Sequence, residues 1–358
     1  MQTINLYQFN QLSRCIPEQV TILQYSVMSY STSPVPRKIR FSRPRDVEDF
    51  LGNLDVKRRT ALEDTRPVLE LLISARFAEQ YVDLLKALKE ATRMSTVQEV
   101  RLQIVPGGSF AITAEFLAAV FASLNQKLVS FESGCSFAGE NRKIATDALQ
   151  NFCPLLREVD IYERDEKSLV TWIQAIQTSP ALTKIEVGSS EMGKICMEAL
   201  SNLLLKNRNS YLKELKVVCF RKDIDLSPLA EGLRGNTTLS ELCIDLSFCN
   251  IYPHGSVANS NEIKTFEKAL EHDNYSLKRL EVGGASYKIL FYLKLNQIGR
   301  DLLLRSGKAK EQDWIDIILK NKGNTSIVYY FLRKNPALCG LVEDGLFFHQ
   351  RPCKKSKT

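Results

Sequence analysis

No stretch of 18 or more consecutive apolar residues occurs in this 358-residue chain, so the run that a membrane-spanning helix requires is missing. The first 30 residues lack the basic start and following apolar stretch of a secretory signal, and the chain is expected to be intracellular, cytoplasmic or nuclear. Acids are scarce at the beginning: residues 1–45 hold Glu18 alone against Arg14, Arg37, Lys38, Arg40, Arg43 and Arg45. Organelle transit peptides share such a composition, so organelle targeting stays open. The preferred reading of 1–45 is a disordered or irregular arm.

Histidine is scarce too. His254, His272 and His349 are the three present, and none stands at metal-ligand spacing from another or beside a nucleophile. The nine cysteines, an odd count, include no C-x-x-C pair, which argues against zinc and thiol redox chemistry and for reduced, buried side chains. The pairs Gly107-Gly108 and Gly283-Gly284 do not continue into a phosphate-cradling motif and read as turns. No catalytic, cofactor-binding or metal-binding residue is therefore assigned, no cofactor is expected, and the chain is expected not to be an enzyme.

What the sequence has is a repeat. With 44% hydrophobic and 25% charged residues the chain can build a large core. The pattern L-x-x-L-x-L recurs at Val97/Val100/Leu102, Leu128/Phe131/Ser133, Leu156/Val159/Ile161, Leu182/Ile185/Val187, Leu212/Leu215/Val217, Leu239/Leu242/Ile244 and Leu277/Leu280/Val282. An eighth instance, Val68/Leu71/Ile73, lies 29 residues upstream of the first. Between these strands the spacing turns helical, as in Leu169/Trp172/Ile173/Ile176, Leu226/Leu229/Ala230/Leu233 and Leu117/Val120/Phe121/Leu124. Parallel strands stack at about 4.8 Å and helices at about 8–10 Å, so a stack of such units is expected to curve with its sheet inside. Asn125, Asn209, Asn236 and Asn274 each precede a strand leucine by three residues. They read as left-handed helix ends, with Gly235 beside Asn236.

Across residues 65–285 this unit resembles the ribonuclease-inhibitor-like leucine-rich-repeat family. The resemblance implies an α/β leucine-rich-repeat solenoid, a horseshoe with a parallel concave sheet and convex helices. The Asn or Cys that the family carries three residues past the last strand leucine is replaced here by Val105, Ser136, Arg164, Ser190, Phe220, Ser247 and Ala285, which implies irregular repeats. The segments Phe291–Arg300, Trp314 and Tyr330–Cys339 are similar to the endings of leucine-rich-repeat proteins of unicellular algae. The expected organisation is an arm over 1–45, a repeat array over 46–285, a helical C-terminal cap over 286–340 and a basic tail over 341–358. Ile39 and Phe41 offer a worn strand ahead of the clear repeats, with Asp46, Phe50, Leu51 and Leu54 as its helix, although Pro34, Pro36 and Pro44 favour irregular structure.

Residues alternating with the core positions are expected to line the concave sheet. The acids there are Glu99, Glu132, Glu158, Asp160, Glu186, Glu214, Glu241, Asp245 and Glu281; the bases are Arg101, Lys184, Lys216 and Arg279. The chain as a whole carries a formal charge of +7, and residues 286–358 hold 14 Lys/Arg against 6 Asp/Glu. The expected function is a monomeric scaffold binding a protein or peptide of basic character on the acidic sheet. A solvated sheet whose charges satisfy one another, with Arg101 beside Glu132 and Glu186 beside Lys216, is the plain alternative. A further alternative is an adaptor touching nucleic acid or an anionic membrane through the basic C-terminal region.

Overall fold

The chain divides into two units, residues 1–35 and 36–358, and everything below belongs to the second. The computed structural model describes residues 37–41, 43–53, 68–74, 81–93, 97–105, 112–124, 126–134, 137–138, 142–177, 179–206, 211–220, 224–246, 260–283, 285–305 and 311–336. The basic tail, His254, His349, Asn125, Asn209 and most of the 247–262 insertion lie outside these residues.

Strands and helices alternate along the chain. The strands are β1 (Arg37–Phe41), β2 (Val68–Ser74), β3 (Glu99–Val105), β4 (Ile112–Thr113), β5 (Leu128–Ser133), β6 (Phe137–Ala138), β7 (Glu158–Glu163), β8 (Lys184–Ser189), β9 (Glu214–Cys219), β10 (Glu241–Asp245) and β11 (Arg279–Glu281). The helices are α1 (Pro44–Gly52), α2 (Tyr81–Arg93), α3 (Ala114–Ser123), α4 (Arg142–Phe152), α5 (Glu166–Ile176), α6 (Lys194–Lys206), α7 (Ser227–Leu233), α8 (Ser260–Lys268), α9 (Tyr287–Ile298), α10 (Glu311–Lys320) and α11 (Thr325–Lys334). Short polar side chains start several of them: Thr113, Asp165, Ser286 and Asn324 accept the backbone N–H three residues on, as an N-cap must.

Nine strands pair in the order β1-β2-β3-β5-β7-β8-β9-β10-β11, all parallel. Because that order is the chain order, every crossover advances by one strand, and successive helices pack side by side on one face of the sheet. The anticipated apolar positions are buried beneath those helices, among them Leu71, Leu102, Phe131, Val159, Ile185, Leu215, Leu242 and Leu280. The strand considered at Ile39 and Phe41 is present as β1, so the sheet reaches into the segment where an irregular arm was expected, and Phe41 packs edge-on against Phe50 of α1. β4 and β6, which no sequence pattern announced, form a separate two-stranded ladder.

The asparagines at the strand entrances do something other than anticipated. Gly235 takes the left-handed conformation (φ +69°) beside Asn236, and Asn274 is extended (φ −116°). Both side chains are buried and serve as amide bridges between units. Asn236 Nδ2 donates to the Leu204 carbonyl at 2.9 Å, while its Oδ1 accepts from the Leu239 N–H at 2.9 Å. Asn274 Nδ2 donates to the carbonyls of Leu233 and Asn236 at 3.0 Å each, and its Oδ1 accepts from Leu277 N–H at 2.9 Å. Asn296 of α9 continues the series by donating to the carbonyls of Asn274 and Leu277. Nearer β3 the same task falls to Lys127, whose Nζ donates to the carbonyls of Thr92 and Val97 at 2.8 and 2.7 Å and whose pKa burial lowers. The loop-supporting ladder thus runs mainly at the entrances of the strands; past their exits, Ser189 and Ser190 Oγ donate to the Arg164 carbonyl of the neighbouring unit at 3.0 and 2.9 Å.

After β11 the described chain is helical. Arg300 is fully buried where α9 ends. Its guanidinium donates to the carbonyls of Leu270 and Glu271 in the π-helical turn that follows α8, and to Tyr330 Oη of α11 at 2.8 Å. Its charge lies over the rings of Tyr275 and Tyr292, 4.3 and 4.7 Å from their centroids. One side chain therefore ties the last helices to the final strand–helix unit. Trp314, Ile318, Ile327 and Phe331 supply the apolar packing there.

Asn274→Ala should lower stability by about 2–3 kcal/mol, because buried backbone groups of two units lose their partners. Gln312→Ala on exposed helix surface should stay within about 0.5 kcal/mol. Urea unfolding followed by circular dichroism compares the two, and equal midpoints would show that the amide bridge does not hold the units together.

Candidate functional site

Along each strand, side chains that do not enter the core point to the face away from the helices. Parallel register aligns them into rows across the sheet. The first row runs Lys38, Glu70, Arg101, Ser130, Glu158, Lys184, Glu214, Glu241 and Arg279. The second runs Arg40, Leu72, Gln103, Glu132, Asp160, Glu186, Lys216, Cys243 and Glu281. Glu99 stands before the first row on β3, and Asp245 ends β10 beyond the second. All nine acids expected on this face are on it. The alternation missed Lys38, Arg40 and Glu70 because β1 and β2 were not included. Applying the same period-2 rule around Ile39 and Leu71 finds them, and ten acids then face six bases along these strands.

Most of the first row is internally compensated. Lys38 Nζ lies 3.0 Å from Glu70, Lys184 Nζ 3.6 Å from Glu214, and the Arg279 guanidinium 3.6 Å from Glu241 while also pairing with Glu281. Glu99 is met by Arg157 at 2.9 Å. The anticipated pair Glu186–Lys216 forms at 2.7 Å. The anticipated neighbourhood of Arg101 and Glu132 does not form. It is Leu102, not Val100, that pairs with Phe131, so Arg101 stands opposite Ser130 and Gln103 opposite Glu132. Gln103 Nε2 donates to Glu132 Oε1 at 2.6 Å instead, a neutral partner that leaves the carboxylate its charge.

The centre of the second row differs from its flanks. Glu132, Asp160 and Glu186 stand on three adjacent strands with no base between them. Two parallel-strand steps, roughly 10 Å, span all three. Lys216 approaches from the Glu186 side, and Tyr162, two residues along β7, donates its hydroxyl to the same Glu186 Oε1 at 2.5 Å. The tyrosine ring can lie there because Gly188 is its cross-strand neighbour: a Cβ at that glycine would sit 2.6 Å from the ring. Asp160 makes no ion pair among the described residues, and its Oδ1 is enclosed without a hydrogen-bond partner. Burial, then Glu186 and Glu132, push its pKa up to about 7, against the opposing pull of Lys216 and Lys184.

Among the described residues no group of three or more His, Cys, Asp or Glu is arranged to hold a metal ion. Cys153, Cys196 and Cys219 are buried thiols, as expected. Cys243 is the exception: it lies on the open face and donates to Glu281 Oε2 at 3.1 Å, and burial together with that contact pushes its pKa up to about 12. His272 is exposed beside Glu271. No helix among the described residues is long and apolar enough to cross a membrane. Over β1 to β7 the face is recessed into a groove of about 500 Å³, whose walls include Lys38, Arg40, Leu72, Arg101, Glu132 and Glu158.

An aspartate whose pKa rises on folding holds its proton while the unfolded chain has already released it, so stability falls as pH climbs from about 4 to about 7 and then levels. Asp160→Asn should remove that component. The variant should match the parent near pH 4 and exceed its unfolding midpoint in urea at pH 8; a variant no more stable than the parent at pH 8 would contradict the assignment. No model of a known protein family and no curated protein matches this chain, so what describes it is its own architecture: repeated strand–helix units forming one parallel sheet of nine strands.

Proposed function

We propose that this chain is a leucine-rich-repeat solenoid of the ribonuclease-inhibitor type, with its sheet on the concave side. In this reading it is a monomeric, non-enzymatic scaffold that holds a protein or peptide of basic character. The neighbour-by-neighbour parallel order supports the first half. Strands about 4.8 Å apart backed by helices that need about 8–10 Å bend a sheet away from its helices.

The row Glu132, Asp160, Glu186 carries the second half. Folding brings three acids together on adjacent strands and gives Lys216 to one of them. Like charges side by side cost stability, and Glu186 and Glu132 add to burial, the larger cause, in raising the Asp160 pKa. A cation from a partner relieves it, so binding energy is available there that the isolated scaffold does not use. Several other charges on the face, such as Lys38 with Glu70 and Lys184 with Glu214, already meet opposite neighbours and offer less.

Affinity capture from native lysate at about 50 mM salt, comparing wild type with Glu132→Lys/Glu158→Lys, tests the reading. Wild type should retain one or more basic proteins that the variant loses selectively. Equal capture by both would overturn it and turn attention to the basic region 286–358 as a contact for nucleic acid or an anionic membrane.

A further inference from the structure

The first row breaks its own pattern at one place. Lys38, Lys184 and Arg279 each reach an acid on the next strand, but Arg101 and Glu158 are separated by Ser130, whose short neutral side chain bridges neither. Two strand spacings put them about 10 Å apart across the sheet. Among the described residues neither makes an ion pair, and Glu132 beside them has only the neutral amide of Gln103. The one acid next to Arg101 in the row, Glu70, is engaged by Lys38 at 3.0 Å.

These same residues wall the groove of about 500 Å³, a volume within the range of roughly 300–1,000 Å³ that binding clefts occupy. Its β1–β3 side carries Lys38, Arg40 and Arg101 against Glu70, with Leu72 of β2 as an apolar surface among them; its β5–β7 side carries Glu132 and Glu158. A wholly basic ligand would meet Arg101, and a wholly acidic one would meet both glutamates. We infer that the groove takes an extended peptide segment carrying both signs of charge, with an acidic side chain at Arg101 and a basic side chain at Glu132 and Glu158. The inference rests on the scaffold reading and narrows it from a basic partner to one of mixed charge. An extended peptide advances about 3.3 Å per residue, so the two side chains should lie two to four residues apart. A segment of about six residues crosses the four strand steps from β1 to β7.

The test uses the full chain and three fluorescently labelled nonapeptides in a Ser/Thr background, measured by anisotropy at about 50 mM salt. One carries Glu and Lys three residues apart, one Lys at both places and one Glu at both. Wild type should bind the mixed peptide at least about tenfold tighter than either of the others. Arg101→Glu should reverse the order of the mixed and all-basic peptides, and Arg101→Gln should erase it, with circular dichroism showing both variants folded. Wild type binding the all-basic peptide as tightly as the mixed one, or Arg101→Glu leaving the order unchanged, overturns the inference. If in that case Glu132→Lys/Glu158→Lys still abolishes all-basic binding, the broader acidic-face reading stands and only the mixed-charge occupant falls. No binding of any peptide at about 1 mM overturns the inference as well, and the capture of whole proteins then decides the broader reading separately.

Discussion

A strand of five to seven residues with one helix behind it cannot bury its own apolar face. Each unit has two flanks that only another unit can cover, so the architecture depends on repetition in a fixed register more than on any individual contact. That requirement explains why Leu102, Val159, Ile185, Leu215 and Leu242 stand at equivalent places in successive strands. It also explains the chemistry of the strand entrances, where each turn leaves buried carbonyls and N–H groups exposed to a neighbour that has its own to satisfy. Asn236 and Asn274 meet both needs at once, accepting from their own turn and donating to the preceding one. Where the last unit has no successor, Asn296 and Arg300 reach back with side chains to do what the next repeat would have done.

The sheet was legible because the core side of a strand is dictated by burial, and burial is written as leucine-like residues at fixed spacing. The helix layer was legible for the same reason, in Leu169, Trp172, Ile173 and Ile176. Other features depend on information that spacing does not carry. β1 was obscured by the prolines around it, since Pro44 looks like a break and in fact opens α1. Asn236 and Asn274 stand at turns as their residue type suggests but without the left-handed backbone, since Gly235 adjoins Asn236 and residue type alone does not say which of the two bends. The repeat alignment sets Val100 against Phe131 and so Arg101 against Glu132, whereas the β3–β5 ladder sets Leu102 against Phe131, two residues along, a register that leaves no compositional trace. Cys243 looked like its buried fellows; only register puts it on the open face.

The open face combines two electrostatic regimes. Along the first row, Lys38 meets Glu70, Lys184 meets Glu214 and Arg279 meets Glu241 on adjacent strands, and those pairs, half exposed to water, contribute little to stability individually. Their effect is to make much of the face neutral at short range. In the second row the acids of β5, β7 and β8 are consecutive, partly withdrawn from water and short of counter-charge. Tyr162 and Lys216 both gather on Glu186, which leaves Asp160 the least satisfied of the three. A face so arranged concentrates its unspent electrostatic energy over a few strands.

Each strand presents only two or three side chains to that face, and each sits on a unit whose core is built from different residues. The columns are therefore separable. A substitution at Ser130 or Gln103 alters one column of the surface while Phe131 and Leu102 beneath it go on packing as before. The open face can accordingly be rewritten a column at a time without renegotiating the fold, so its chemistry is free to change while the interior stays under constraint.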